Sequence, residues 1–439
     1  MDDRAAQQKL DYRKTFLIGF GFFGTSVMWK LYNDYVPIFL QAGNPAFETA
    51  TKAAGFGLGA ALTGFVMTLD NIAGLFLLPL IGVWSDRVWT RIGRRKPFII
   101  TLAPIAIAAF LTIPLVVKAI PPALSGQSAE LGGSMALFMI AIGIFLLAMA
   151  GFRTPVISLM PDLTPSKLRS QANGVINLMG GLGGVIITLI GAWLYGIDIA
   201  MPFIVAGVLM AAAVIMLMIF VQEQRELTDA PEAREEEQRL GALRSLGRVP
   251  AAVRPSLLFM LASIFLWFVG YNAIETFFTS YGVQVLGIKE NQASLLSSIS
   301  YVTFILFSVP SGYLAARIGR RKTITTGLLV FAGLLLVGYL IPNIIVIGAA
   351  LALGGCAWAL VNINSLPMVV DTARSDASIG TFTGFYYLAS QLAAIAGPVL
   401  NGVVIEQSGN YGLVLLMPVI FFILAAATMQ RVTRGEARP

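Results

Sequence analysis

Twelve apolar stretches, each about as long as a bilayer is thick, follow one another along this chain of 439 residues. A helix needs roughly 20 apolar residues to cross the hydrocarbon core, and in lipid its backbone polar groups must be satisfied within the segment. The sequence therefore predicts an all-α membrane protein with twelve transmembrane helices. We place these helices at 15–40, 58–84, 97–118, 134–156, 172–196, 199–221, 256–282, 291–316, 322–341, 344–369, 379–405 and 411–430.

The composition supports this class and argues against several others. Apolar residues make up 57% of the chain and charged residues 12%, about half the charged share of a soluble domain. The chain has no histidine and a single cysteine, Cys356, which excludes a histidine-ligated zinc site and an intrachain disulfide. No catalytic constellation is present, so we expect neither an enzyme nor a cofactor. The basic residues are not interleaved with aromatic ones, so we expect no nucleic-acid partner.

The positions of the basic residues predict the orientation in the membrane. If both termini lie inside, every Lys and Arg is cytoplasmic except Lys52, Lys118 and Lys289 outside and Lys30 and Arg153 within helices. The positive-inside rule fits this orientation and rejects its inverse. We expect an integral, multi-pass protein of the plasma (inner) membrane with both termini cytoplasmic.

One basic hexapeptide, Arg-Ile-Gly-Arg-Arg-Lys, occurs twice, at 91–96 and at 317–322. Each copy follows the second predicted helix of a group of six, which indicates an internal duplication. We therefore expect two pseudo-symmetric six-helix bundles, at 1–221 and 255–439, joined by a charged cytoplasmic linker at 222–254.

The first copy lies in a segment that resembles a known family. Gly82-x3-Asp86-Arg87 followed by Gly93-Arg94-Arg95-Lys96 resembles the signature loop of the major facilitator superfamily. Its extension from Ser85 to Ile99, with a second motif from Pro155 to Pro165, is similar to the sucrose-transporter-like branch of the glycoside-pentoside-hexuronide:cation symporters. The resemblance implies the major facilitator fold and a sugar that is moved together with a cation.

The chain departs from that branch at two points. Plant sucrose transporters typically carry a histidine near the outer end of helix one, and this chain has none. Melibiose-type members carry two acidic residues in helix two, whereas Asp70 here is followed by Asn71. The sugar and the choice between proton and sodium therefore stay open.

The resemblance also implies a gate at the cytoplasmic ends of the helices. Gly82 allows two helices to approach closely, and Asp86 is expected to accept hydrogen bonds from the start of helix eleven. Arg94 or Arg95 is expected to bridge Asp86 to Asp162 and so to hold the two halves together while the cavity faces outward.

The second copy lacks the acid, because Ala315 and Ala316 precede it. Asp371 with Arg317 or Arg320 is the expected substitute. The alternative for all these basic residues is that they only fix topology and contact lipid phosphates.

Ionisable side chains within membrane helices are costly and indicate function. Without histidine, a coupled proton must be carried by a carboxylate, and the candidates are Asp70, Glu275 and Asp34. Asp70 has no basic residue within one turn and is the first choice, with Glu275 second. Asp34 stands one turn after Lys30, so a structural ion pair is its alternative.

A sugar requires amide and carboxylate partners for its hydroxyl groups and an aromatic ring for its C–H face. The resemblance implies that helices one, four, seven and ten line the cavity, with Trp267 or Trp358 as the stacking ring. Any one Asn could instead form a helix–helix hydrogen bond, and Trp29 is expected at the lipid interface. The predicted binding residues are Asn33, Arg153, Trp267, Asn272, Glu275, Trp358, Asn362 and Asn364.

These features together predict a monomeric sugar:proton symporter for a glucoside or disaccharide, embedded in the bilayer and working by alternating access. The alternative of the same fold is a proton-coupled antiporter that exports drugs or metabolites. A membrane-embedded receptor or enzyme is disfavoured.

Overall fold

The computed structural model describes residues 10–47, 53–164, 169–223, 249–372 and 379–436. Most of the predicted linker, from 224 to 248, lies outside the described residues. The structure describes only the backbone of Gly82 and Asp86, which are two of the predicted gating residues.

The described residues form twelve helices, and the second helix is broken into two pieces. We number them α1 to α12 in chain order. The bounds are Tyr12–Gln41 (α1), Ala60–Val66 (α2a), Leu69–Arg87 (α2b), Lys96–Lys118 (α3), Gly132–Leu163 (α4), Arg169–Ile197 (α5), Met201–Phe220 (α6), Arg254–Gln284 (α7), Glu290–Ile318 (α8), Arg320–Leu340 (α9), Ile344–Val370 (α10), Ile379–Ser408 (α11) and Leu413–Met429 (α12).

The prediction of an all-α fold with twelve helices is confirmed, and most predicted ends lie within a few residues of the observed ones. The span predicted at 58–84 is present, but it is interrupted between Val66 and Leu69. The N–H of Thr68 donates to Phe65 O, three residues back, in a turn tighter than an α-helix, and a new helix starts at Leu69. The break places Asp70 in the first turn of α2b.

Length and composition allow ten of the described helical segments to cross a membrane. The helix α12 is apolar but shorter, and α1 carries Lys30 and Asp34 within its length. Charged groups inside a membrane helix are expected to face protein or a cavity, so α1 is a place to look for a site.

Each half of the chain has its own hydrophobic core. One core draws on residues between Leu10 and Val221. The other draws on residues from Val249 onward, joined by three side chains near the junction, Ile38, Phe47 and Ala60. Equivalent helices pack in the same way, since α1 packs on α5 and α6 as α7 packs on α11 and α12.

The two hexapeptides lie at one end of the helices, which we call the basic face, and the opposite end is the far face. At the far face α2a packs extensively on α11, whereas α2b, which continues to the basic face, contacts α11 little. The amide of Asn291 donates to Ala192 O (2.9 Å), which also joins the halves near the far face. Among the described residues, the contacts between α2 and α11 are therefore concentrated at the far face.

Tyr411 contributes to this closure from the turn between α11 and α12. Burial, with a smaller contribution from Glu406, raises the pKa of Tyr411 above its usual value, so its phenol stays protonated. The hydroxyl donates to Gln41 Oε1 across the halves at 3.3 Å, and the rings of Phe47 and Tyr411 lie 5.4 Å apart.

Candidate transport site

A cavity of about 390 Å³ lies between the two halves, lined by α1, α2b, α4, α5, α7 and α11. It brings together residues that are far apart in the chain, and most of those that line it are polar. Five residues singled out from the sequence line this cavity: Asn33, Asp70, Arg153, Asn272 and Glu275.

Asp70 faces the cavity from the point where helix two is broken. Its position in the first turn of α2b places the carboxylate near unpaired backbone N–H groups. Asn71 Nδ2 donates to Asp70 Oδ1 at 2.8 Å, and Arg153 is within electrostatic reach. A broken helix whose end faces a central cavity is a common way for transporters to bind polar groups.

Glu275 is held on the other wall by a residue that the sequence analysis did not select. The hydroxyl of Tyr301, on α8, donates to Glu275 Oε1 at 2.7 Å. A second cavity of about 230 Å³ contains both residues and adjoins the first at Trp29 and Asn33. Ser294, Ser297, Ser298 and Tyr301 recur at helical spacing along α8, and this polar stripe was the available signal.

Lys30 and Asp34 form an ion pair, with Lys30 Nζ 2.7 Å from Asp34 Oδ1. The pair also bonds to the other half, because Lys30 donates to Ser297 Oγ (3.0 Å) and Ser294 donates to Asp34. The Lys30 ammonium lies 5.0 Å from the centre of the Tyr301 ring. Asp34 is buried within this network and lines neither cavity.

The structure does not place the predicted stacking rings in the cavity. Trp267 is fully buried, and Trp358 stacks on Tyr271 with ring centres 4.1 Å apart. Trp29, which we expected at the lipid interface, lines both cavities instead. Residue spacing shows which side chains share a face of a helix, but not how the helix is rotated toward its neighbours, and this accounts for both differences.

The two predicted asparagines of α10 also lie away from the two cavities. Asn364 is buried and its amide donates to Leu360 O of its own helix at 3.0 Å. Asn362 is half-buried, and its carbonyl accepts the hydroxyl of Ser365. In this conformation α10 supplies no residue to either lining among the described residues.

The basic cluster at 94–95 forms, but within one half. Arg94 Nη2 lies 2.6 Å from Asp162 Oδ1, and Arg95 Nε lies 3.0 Å from Asp162 Oδ2. Both arginines precede α3 and Asp162 ends α4, so these contacts join two elements of the N-terminal half rather than the two halves. A bond from Asp86 across the halves stays a prediction for the outward-facing state. In the second copy Asp371 pairs with Arg320.

Two further carboxylates complete these clusters and were missed. Glu223 accepts the backbone N–H groups of Arg94, Arg95 and Lys96 at 2.8 to 3.1 Å. Glu436 accepts those of Arg320 and Arg321. The sequence places Glu223 in the predicted linker. It lies three residues after the end of α6 and belongs to no recognised motif.

The described part of the chain contains no group of three or more His, Cys, Asp or Glu side chains that could hold a metal ion. The groups that the cavity offers to a ligand are its carboxylates, its amides, the Arg153 guanidinium and the Trp29 ring. This combination can bind a small polar molecule and can hold a proton on a carboxylate.

A family model for the Major Facilitator Superfamily matches residues 15–290 and 283–438. The chain belongs to this superfamily. The match covers both halves, and it makes the protein an integral, multi-pass membrane transporter rather than an enzyme.

Relatives of this transporter are named for different substrates. Multidrug resistance protein 2 of Bacillus subtilis is 21% identical over 81% of this chain and 82% of its own length. Proton-associated sugar transporter A of Homo sapiens is 27% identical over 39% of this chain, a match that spans 21% of that protein. The crystal structure of a D-xylose-proton symporter superposes with a TM-score of 0.68 at 14% identity, covering 97% of this chain and 98% of that one, and shows the shared fold.

Proposed function

We propose that this transporter moves a sugar, a glucoside or disaccharide, together with a proton by alternating access. The observation that carries the proposal is the polar cavity between the halves, in which two half-buried carboxylates, several amides and a tryptophan ring converge. Such groups match the hydroxyl groups and the apolar C–H face of a sugar. The sucrose-transporter-like loop and the proton-associated sugar transporter relative support the same substrate class.

The sugar would bind between Asn33 and Trp29 on α1 and Asn272 and Glu275 on α7, with Arg153 on α4 closing the site. Asn33 and Trp29 line both cavities, so they stand where the two cavities meet. Trp29 replaces Trp267 and Trp358 as the proposed stacking ring.

Asp70 is the proposed coupling carboxylate, and Glu275 is the second candidate. Both face the cavity from opposite halves, so a proton on either one is exposed to whichever side the cavity opens toward. Asp34 is the weaker candidate, because Lys30 and Ser294 already bond to its carboxylate.

We further propose a monomer in the inner membrane with both termini in the cytoplasm, so that the basic face is cytoplasmic. We infer that this conformation is then inward-facing, because the described contacts between α2 and α11 lie at the far face. Residues 1–221 and 255–439 would move as two bodies about the linker at 222–254, and Asp86 would join them in the outward-facing state.

Uptake into proteoliposomes tests the proposal. A panel of labelled mono- and disaccharides is offered with and without an inward gradient of protons (acid outside) or of sodium. We expect at least one sugar to be accumulated with the pH gradient, and Asp70→Asn to abolish that accumulation because no proton can be carried. Asp198→Asn, which removes a half-buried aspartate paired with Lys118 at the far face, is the control and should accumulate sugar normally.

The absence of gradient-driven uptake for every sugar would reject the sugar assignment, whereas intact accumulation by Asp70→Asn would reject only the coupling residue. The second candidate function is export of drugs or metabolites in exchange for protons. It is favoured by the multidrug resistance relative, which matches most of the chain, and by apolar wall residues such as Phe22 and Val156. Proton-driven dye extrusion from the same vesicles would identify it.

A further inference from the structure

A carboxylate of the C-terminal half bonds to the backbone of the N-terminal half at the far face. Glu406, near the end of α11, accepts the N–H of Ala61 in the first turn of α2a, with 2.8 Å between Oε2 and N. First-turn N–H groups have no partner within their own helix, and Gly59 before it offers no side-chain cap. Glu406 therefore supplies, from the other half, a bond that α2a cannot make for itself.

The surrounding residues leave room for this bond. A Cβ atom added to Gly59 would lie 2.7 Å from Glu406 Cδ, so a larger residue there would displace the carboxylate from its partner. A Cβ on Gly402 would lie 3.0 Å from Ala61 Cα, and one on Gly64 would lie 2.9 Å from the carbonyl carbon of Pro398. The backbones of α2a and α11 are thus in close contact over the two turns of α11 that precede Glu406.

We propose that Glu406 is an outer latch, a bond between Glu406 and Ala61 that exists only while the far face is closed. The two residues belong to different halves, so the movement that opens the far face separates them, and each must then be hydrated. The bond favours the state closed at the far face, and its strength helps to set how often the transporter opens outward.

The sequence predicts the reverse arrangement at the basic face, where Asp86 at the end of α2b is expected to bond to the start of α11. If both bonds form, α2 and α11 each give a carboxylate to the first turn of the other, at opposite faces of the membrane. Rocking of the halves breaks one bond as it makes the other.

The rate at which a cysteine at the far-face contact is labelled tests the proposal without any substrate. Ala60 is buried against the C-terminal core, so Ala60→Cys in a Cys356→Ser background can react with a maleimide only when the halves part. Adding Glu406→Gln, which replaces a charged acceptor with a neutral one, should raise the labelling rate roughly 5–30-fold, the population change that corresponds to about 1–2 kcal/mol. Labelling speed reports even a rarely populated open state, because each opening exposes the thiol.

Glu130→Gln is the matched control, since it removes an exposed carboxylate from another far-face loop of the chain. It should leave the rate within about twofold of the parent, and the Glu406→Gln protein must elute as a single monodisperse peak. Gly59→Ala is the second variant: it keeps the charge but pushes the carboxylate away, and it should also accelerate labelling. Labelling of both variants at the parent rate would overturn the proposal.

Discussion

The two copies of the basic hexapeptide perform the same local task with unequal strength. In each half the copy lies at the junction between the second and third helices, and a carboxylate from the segment after the sixth helix accepts its backbone N–H groups. Glu223 accepts three such groups, and Glu436 accepts two. The duplication has preserved this fastening even though the two acceptors lie in segments with little sequence similarity.

The copies differ most in the second acid. Asp162 forms ion pairs with both Arg94 and Arg95, and its side chain is 11% exposed. Asp371 receives Arg320 alone and is 42% exposed. The second copy compensates with backbone acceptors, because Arg320 also donates to Gly435 O and Arg321 to Val432 O. Burial, rather than the motif itself, therefore decides how much each ion pair contributes.

The largest expected difference between the copies follows from removing the acid. Asp162→Asn should lower the free energy of unfolding by about 3–5 kcal/mol, because two buried guanidinium groups lose their counter-charge. Asp371→Asn should cost about 0–1 kcal/mol, since solvent screens that pair. Denaturation by sodium dodecyl sulfate, followed by tryptophan fluorescence, measures both. Equal losses would show that the exposed pair is as important as the buried one.

The next largest effect concerns the glycine of each copy. Gly93 (φ +122°) and Gly319 (φ +92°) both hold a backbone conformation that side chains disfavour. A Cβ on Gly93 would also lie 2.5 Å from Glu223 Cδ, whereas one on Gly319 would lie 3.2 Å from the Glu436 carboxylate. We expect losses of about 2–3 kcal/mol for Gly93→Ala and about 1–2 kcal/mol for Gly319→Ala. The same titration tests this order, and a reversed order would contradict it.

The smallest effect is expected at the carboxylates that accept the backbone N–H groups. Glu223→Gln keeps the shape but weakens three charge-assisted bonds, and should cost about 1–2 kcal/mol. Glu436→Gln should cost less than 1 kcal/mol, because the segment around it also accepts arginine side chains. Hydrogen exchange of the amides at 94–96 and 320–321 provides a local measure. In the wild-type protein, we expect the amides at 320–321 to exchange faster than those at 94–96.

Much of the fold could be predicted because lipid imposes a simple rule on helix length. The twelve spans could be predicted from the length of the apolar runs. The repeat could be predicted from the hexapeptide at 91–96 and its copy, and the superfamily from the loop that contains Asp86. The break in helix two could not be predicted, because the segment around Met67 and Thr68 is as apolar as a continuous helix requires and contains no proline.

The site was predicted less completely than the fold. Asp70, Glu275 and Arg153 were found because an ionisable group in a membrane helix needs a reason to be there. Tyr301 and Trp29 were not selected, since a tyrosine or a tryptophan in such a helix can equally face lipid or protein. Which of these occurs depends on the rotation of each helix against its neighbours, and only packing fixes that rotation.

The contact between Ala61 and Glu406 also has a consequence for biogenesis. The ribosome makes Ala61 345 residues before Glu406, so α2a enters the membrane long before its partner exists. Domains generally fold in the order of their synthesis, and the N-terminal half can pack its own core while the rest is translated. The seven-residue helix α2a gains its cap only when α11 arrives, which makes sealing of the far face one of the last events in the assembly of the chain.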